Sequence, residues 1–209
     1  MNSRILFSIA VWLCGISASF AQEKTVPAPS PSAAPAVSPP AAQKRTFVRP
    51  NVPAALFTPE KTALLEPECE RIASFLARYA AEKYTAGVLR GEATAVSQGR
   101  LFLTISLHLQ PLNASAVHCT TRWIDGKEPS LPAPGDNLRV FSGFLLSAAK
   151  RQADKSTPAR EALGRILTRL AADLDPGNED AVYASEIQDR DDKTPPLKEL
   201  LSGTLGRGW

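Results

Sequence analysis

Between Leu163 and Leu174 the apolar residues fall at Leu163, Ile166, Leu167, Leu170, Ala171 and Leu174. That spacing lays one stripe along a helix of 3.6 residues per turn. Thr157 suits the N-cap, and Pro158 suits the first turn, where a missing N–H costs nothing. Pro176 and Gly177 stop this helix. Asn178 then caps a new one, with Glu179 and Asp180 at its positive end, and Ala181, Val182, Ser185 and Ile187 begin it. Further upstream, Thr58-Pro59-Glu60 and Glu66-Pro67-Glu68 read as helix openings. Ile72, Phe75, Leu76, Tyr79 and Ala80 form another stripe, and a turn is expected around Gly87–Gly91.

Gly164–Tyr183 has an echo sixty-five residues earlier, in Gly99–His118. Seven of the twenty aligned positions are identical, among them Pro111 with Pro176 and Asn113 with Asn178, so the junction itself is repeated. The first copy is less regular. Leu101, Leu103, Ile105, Leu107 and Leu109 alternate with Phe102, Thr104, Ser106 and His108, which is a strand pattern. A β-hairpin into Val117–Trp123 is therefore a rival for 93–123. Helix is preferred because Leu101, Phe102, Ile105 and Leu109 stand where Ile166, Leu167, Leu170 and Leu174 stand, and copies of one unit share one conformation.

Asn113 caps a helix to about Ile124, ended by Gly126. Pro129, Pro132, Pro134 and Gly135 form a loop, and Asp136 or Asn137 starts a helix carrying Leu138, Phe141, Leu145 and Ala148. After the acidic run Asp189–Asp192, Pro196 opens a last helix with Leu197, Leu200, Leu201 and Leu205 on one face. The expected fold class is all-α: six or seven helices in all, a domain at 56–192 followed by a capping helix and tail at 193–209.

Before that domain come two other kinds of sequence. Residues 1–21 read as a secretory signal, with Arg4, an apolar run from Ile5 to Ile16, and a small-x-small cleavage site ending at Ala21. The run is short for a membrane span of about twenty residues; an uncleaved anchor is the alternative. Trp12-Leu13 ahead of Cys14 argues against lipidation there. Residues 22–55 are a linker in which Pro27, Pro29, Pro31, Pro35, Pro39 and Pro40 alternate with Ala and Ser. Such a stretch cannot bury enough to order itself, and as polyproline II it reaches up to ~100 Å. The expected location is the periplasm or cell envelope.

Candidate chemistry is sparse. Ser147 and Lys150 form the Ser-x-x-Lys of penicillin-binding enzymes, without the Ser-x-Asn or Lys-Thr-Gly that would accompany it. His108, His118 and Cys119 lack a metal-binding spacing. The Asp173-x-Asp175 and Asp189-x-Asp191-Asp192 runs lack the glycine and glutamate of a calcium loop. No catalytic, cofactor or metal site is expected. Cys69 and Cys119 remain once the leader is removed; an oxidising compartment permits a bridge between them, and two small buried side chains are the other reading. Lys150, Arg151, Lys155, Arg160, Arg165 and Arg169 make 150–169 basic. Without Arg4 the chain holds 23 basic against 21 acidic residues, a net charge of about +2, too little to suggest nucleic acid. Asn113-Ala114-Ser115 is a glycosylation sequon.

Leu170-Ala171-Ala172-Asp173-Leu174-Asp175-Pro176-Gly177-Asn178 resembles the way tetratricopeptide repeats close, Ala-Leu-x-Leu-Asp-Pro-x-Asn, and Leu107–Asn113 is a looser version. The resemblance covers about 60–188. The family's Trp-x2-Leu-Gly-x2-Tyr signature would fall on Ala148, Arg151, Gln152 and Lys155, none of which fits; in the earlier copy only Gly87 matches. Sixty-five residues is also three short of two standard repeats. The resemblance implies a short array of antiparallel helical hairpins with protected ends, the 58–84 segment at one and Leu197–Leu205 at the other. It implies a non-catalytic adaptor that binds a protein or peptide. A structural protein using 150–169 to bind envelope polymer or anionic lipid is the alternative.

Overall fold

The computed structural model describes residues 50, 52, 54–135, 137–153 and 157–206. The signal peptide with its cleavage site, and the linker up to residue 49, lie outside the described residues, as do Asp136, Lys155 and the last three residues. Among the described residues seven helices run in order: α1 Glu66–Arg90, α2 Ala93–Leu109, α3 Ala114–Ile124, α4 Leu138–Gln152, α5 Pro158–Leu174, α6 Glu179–Arg190 and α7 Leu197–Ser202. No strand occurs among the described residues.

The hairpin rival for 93–123 is therefore overturned. Its strand-like alternation has a physical source. Phe102, Leu103, Thr104, Ile105, Ser106, His108 and Leu109 are all buried, because α2 is packed by α1, α3 and α7. A helix enclosed on several sides carries apolar residues all round and loses its stripe. Two smaller expectations also change. Thr58-Pro59-Glu60 opens one turn, with the Lys61 and Thr62 amides donating to the Thr58 carbonyl, and α1 starts only at Glu66. Gly87 is inside α1, which continues to Arg90 and ends at Gly91 in the left-handed region, φ 70°.

The repeat is reproduced residue for residue at the junctions. α2 and α5 each have 17 residues, and their C-caps share one extended conformation, φ −150° and ψ 94° at Gln110 against −139° and 91° at Asp175. Asn113 and Asn178 then cap α3 and α6, accepting from the Ala116 and Ala181 amides. Each asparagine also donates through Nδ2 to a serine of the preceding hairpin's first helix, Asn113 to Ser74 and Asn178 to Ser142, both at 2.8 Å. Beside each pair a buried hydroxyl ties the two hairpin helices together at 2.7 Å: Ser106 to the Ala73 carbonyl, Ser142 to the Ala171 carbonyl. Ser74 and Ser142 stand sixty-eight residues apart, so the three-residue deficit falls inside the hairpin.

The Gly-Arg that opens each copy sits where the hairpin helices approach closely. A Cβ on Gly99 would lie 2.9 Å from the Tyr84 Cβ and 3.0 Å from the Ala80 carbonyl oxygen; on Gly164 the nearest atom, the Gln152 Cβ, is 3.3 Å away.

The two hairpins meet through their first helices, which run antiparallel. Gln152 accepts from the Ala63 amide at 2.9 Å, Arg151 pairs with Glu68, Arg71 lies 4.7 Å above the Phe144 ring, and Phe75 stacks on Phe141 at 3.6 Å. As the residue numbers climb along α1 they fall along α4. The copies thus face one another, as subunits do in a two-fold dimer, whereas units of a solenoid follow one another. α7 does not close a far end. It packs on α2, with Leu200 fully buried and Leu197 and Leu205 partly so. No described helix is long and apolar enough to cross a membrane.

Gly99→Ala should destabilise the fold by about 1–3 kcal/mol, since backbone on α1 must yield to the methyl. Gly164→Ala should stay within about 1 kcal/mol of wild type, because its tighter fit is offset by the gain in helix propensity. Urea unfolding midpoints of the two variants decide this.

Candidate functional site

α3 buries Ala116, Cys119, Thr120 and Trp123 on one side and leaves Val117 and Ile124 on the other, 44% and 53% exposed. Nothing helical follows to cover that outer side. Gly126, at φ 69°, turns the chain into a proline-bearing loop that runs to α4. The result is an open groove of about 550 Å³, lined by Leu107 of α2, Pro111 of the junction, and Val117, Thr120, Thr121 and Ile124 of α3. Pro50 and Val52, ahead of the domain, form its remaining wall. Among the described residues no charged one lines it. The hydroxyls of Thr120 and Thr121 donate to the Ala116 and Val117 carbonyls of their own helix, so they compete little for a ligand.

The second copy provides an internal comparison. At the positions of Leu107, Val117, Thr121 and Ile124 it has Ala172, Val182, Glu186 and Asp189, and Asp189 is held by Arg169 at 3.2 Å. The apolar groove thus belongs to the first copy alone.

Behind the groove, next to Leu107, sits His108. Its side chain is buried, with Nδ1 3.2 Å from the Ala54 carbonyl oxygen and Nε2 without a partner. A carbonyl only accepts, so Nδ1 carries a proton. Burial pushes its pKa down to about 4, and the Ala54 carbonyl opposes this only in part. The Phe57 amide donates to the His108 carbonyl at 3.2 Å, and the fully buried Phe57 ring meets the imidazole edge-on. Residues 54–57 are thus strapped across the end of α2.

The residues singled out in the sequence have varied fates. Pro111 lines the groove; Pro176 is exposed at the equivalent turn. Asn113 is 1% exposed and donates to Glu70 as well as Ser74, so the sequon nitrogen is out of reach in the folded chain. Ser147 spends its hydroxyl on the Gly143 carbonyl at 2.9 Å. His118 and Cys119 are neighbours on α3, and among the described residues no three His, Cys, Asp or Glu side chains gather as a metal site would need. Asp173 and Asp189 pair with Arg169, Asp175 accepts from the Gly177 amide, and Asp191 pairs with Arg190.

The disulfide permitted by the sequence is not formed: Cys69 and Cys119 are both buried free thiols. Cys119 lies against the Ala77 carbonyl, Sγ to oxygen 3.5 Å. That is eight residues along α1 from Cys69, roughly 12 Å at the helix rise, beyond the reach of a bridge. Burial raises the Cys119 pKa to about 12 and that of Cys69 to about 11.

Sequence reasoning missed the groove and the histidine behind it. A signal was present for the groove: Val117, Thr121 and Ile124 at helical spacing, followed by a stretch too rich in proline to supply a covering helix. No protein-family model, curated protein or solved structure matches this chain.

Asn113→Ala should cost about 2 kcal/mol, at the upper end for a cap because it also loses the bonds to Ser74 and Glu70, and Asn178→Ala about 1 kcal/mol. Paired denaturant titrations measure both. Neither Cys69 nor Cys119 should react with iodoacetamide in the native chain at pH 8, and both should react in guanidinium; peptide mass mapping reads this directly.

Proposed function

We propose that this chain is a non-catalytic adaptor, exported to the periplasm or cell envelope, that holds an extended uncharged segment of a protein partner in the groove between α2 and α3. The observation that carries this reading is the groove itself: an open, uncharged surface in one copy whose counterpart in the other is acidic at two positions. Its size falls in the range of ligand sites, about 300–1,000 Å³. Pro50 and Val52 form one of its walls, and side chains of that apolar kind are what such a segment would bring. The tetratricopeptide-like junctions favour the same class of role, and the signal-like leader favours export. A proline-rich tether would raise the effective concentration of the domain near its partner.

The alternative, binding of anionic lipid or polymer through 150–169, has less behind it. Arg151, Arg165 and Arg169 are already paired with Glu68, Glu161, and Asp173 with Asp189.

A photo-crosslinking residue at Thr121 of the full chain should capture a discrete partner in cells, while one at Glu186 captures none. Val117→Asp places a charge in the groove and should reduce capture by about 10-fold or more, equivalent to roughly 1–3 kcal/mol for desolvating an unpaired polar group. Val182→Asp should leave capture intact. Equal capture from both sites, or full capture by Val117→Asp, would sink the proposal.

A further inference from the structure

We propose that His108 is a proton-operated latch for this groove: protonation of its imidazole frees the strap at 54–57 from α2, and with it the wall formed by Pro50 and Val52. The proposal takes its purpose from the docking reading above, but the latch is measurable with no ligand present.

Among the described residues the strap hydrogen-bonds to α2 at two points, both on His108, and its Phe57 ring is also buried in the core. Its Ala54 carbonyl accepts from His108 Nδ1, and its Phe57 amide donates to the His108 carbonyl. Past Phe57 the chain turns at Thr58 and is anchored separately, through the Ala63 amide on Gln152. Opening can therefore stop at the turn. Ala54 is two residues from Val52, and Leu107, on the opposite wall, precedes His108 in sequence. The latch and the groove are thus in direct mechanical contact.

In the closed form a second proton has nowhere to go. Nε2 is buried without a partner, so the imidazolium would hold an unsatisfied donor and an uncompensated charge out of water. The elements packed on α2 and the turn after the strap carry these charged and titratable groups: Glu60 and Lys61 in the turn, Glu66, Glu68, Cys69 and Glu70 on the first part of α1, His118 and Arg122 on α3, Lys198 and Glu199 on α7. Among the described residues none of these hydrogen-bonds to the imidazole, whose hydrogen-bond partner is the Ala54 carbonyl.

The sign follows from linkage. The closed form holds the group near 4, and a released imidazole returns to about 6.5. The open form therefore binds more protons between those values. Closure is most stable above about pH 6.5 and weakens as pH falls towards 4. From pH 7 to pH 5 the open-to-closed ratio should rise about 20-fold.

The test is hydrogen exchange on the full chain at pH 7 and pH 5, corrected for intrinsic rates, following the Phe57 amide with the amides of Ile166–Leu170 in α5 as reference. The expected result is about 20-fold more opening at Phe57 and no change in α5. His108→Asn keeps a donor for Ala54 and cannot titrate, so its Phe57 amide should show no pH dependence although His118 remains. Three results would overturn the latch: Phe57 protection that ignores pH, loss matched in α5, or wild-type pH dependence in His108→Asn. Should that variant fail to fold, NMR titration of His108 in the native chain decides: a midpoint near 4 supports the latch, one near 6.5 removes it. Failure to crosslink at Thr121 would overturn the docking reading and leave this outcome unchanged.

Discussion

An asparagine fixes each junction, buried in the first copy and half-buried in the second, and the arrangement of helices depends on it. Asn113 accepts from the first turn of α3 while donating to Ser74 and Glu70 on α1. One side chain therefore caps a helix, ends a turn and sets the angle at which α3 meets the hairpin before it. Asn178 does the same with Ser142. The buried serine hydroxyls at 2.7 Å sit beside these amides. A polar group enclosed this way is costly unless all its partners are in place. The junction thus tolerates one geometry, and both copies adopt it.

How much of this was legible depended on how each helix is surrounded. α5, packed on α4 and α6, keeps a clean stripe, and Thr157, Pro158 and Leu174 mark its ends in the sequence as in the fold. α2 is enclosed on more sides, so its hydrophobic pattern reads as a strand, and only kinship with α5 gives it away. The asparagine caps were readable because capping is a local property. The pairing of α1 with α4 was not, because it rests on Phe75 meeting Phe141 and Arg71 meeting Phe144, contacts between residues that carry no pairwise signal in one sequence. For the same reason His108 looked like a surface residue: its burial is caused by Phe57 and Ala54, more than fifty positions away.

Two copies of one unit have diverged in a consistent direction. In the first, the side of α3 that would receive a following helix stayed apolar and open. In the second, the matching side of α6 acquired Glu186 and Asp189, and Arg169 draws Asp173 and Asp189 into one ionic cluster. Single exposed ion pairs add little stability; their effect here is to make that surface wet. The face-to-face arrangement also changes what a repeat means for binding. Facing copies bury their first helices against each other, so those helices offer no continuous inner surface, and binding capacity falls to the side of a single copy.

The return of α7 to α2 has a mechanical corollary. The segment that enters the domain is fastened to α2 through Ala54 and Phe57, and the segment that leaves it is fastened to α2 through Leu200. Tension applied between the two ends would load that single rod first. The α4–α5 hairpin would stay slack until one of the two fastenings tore.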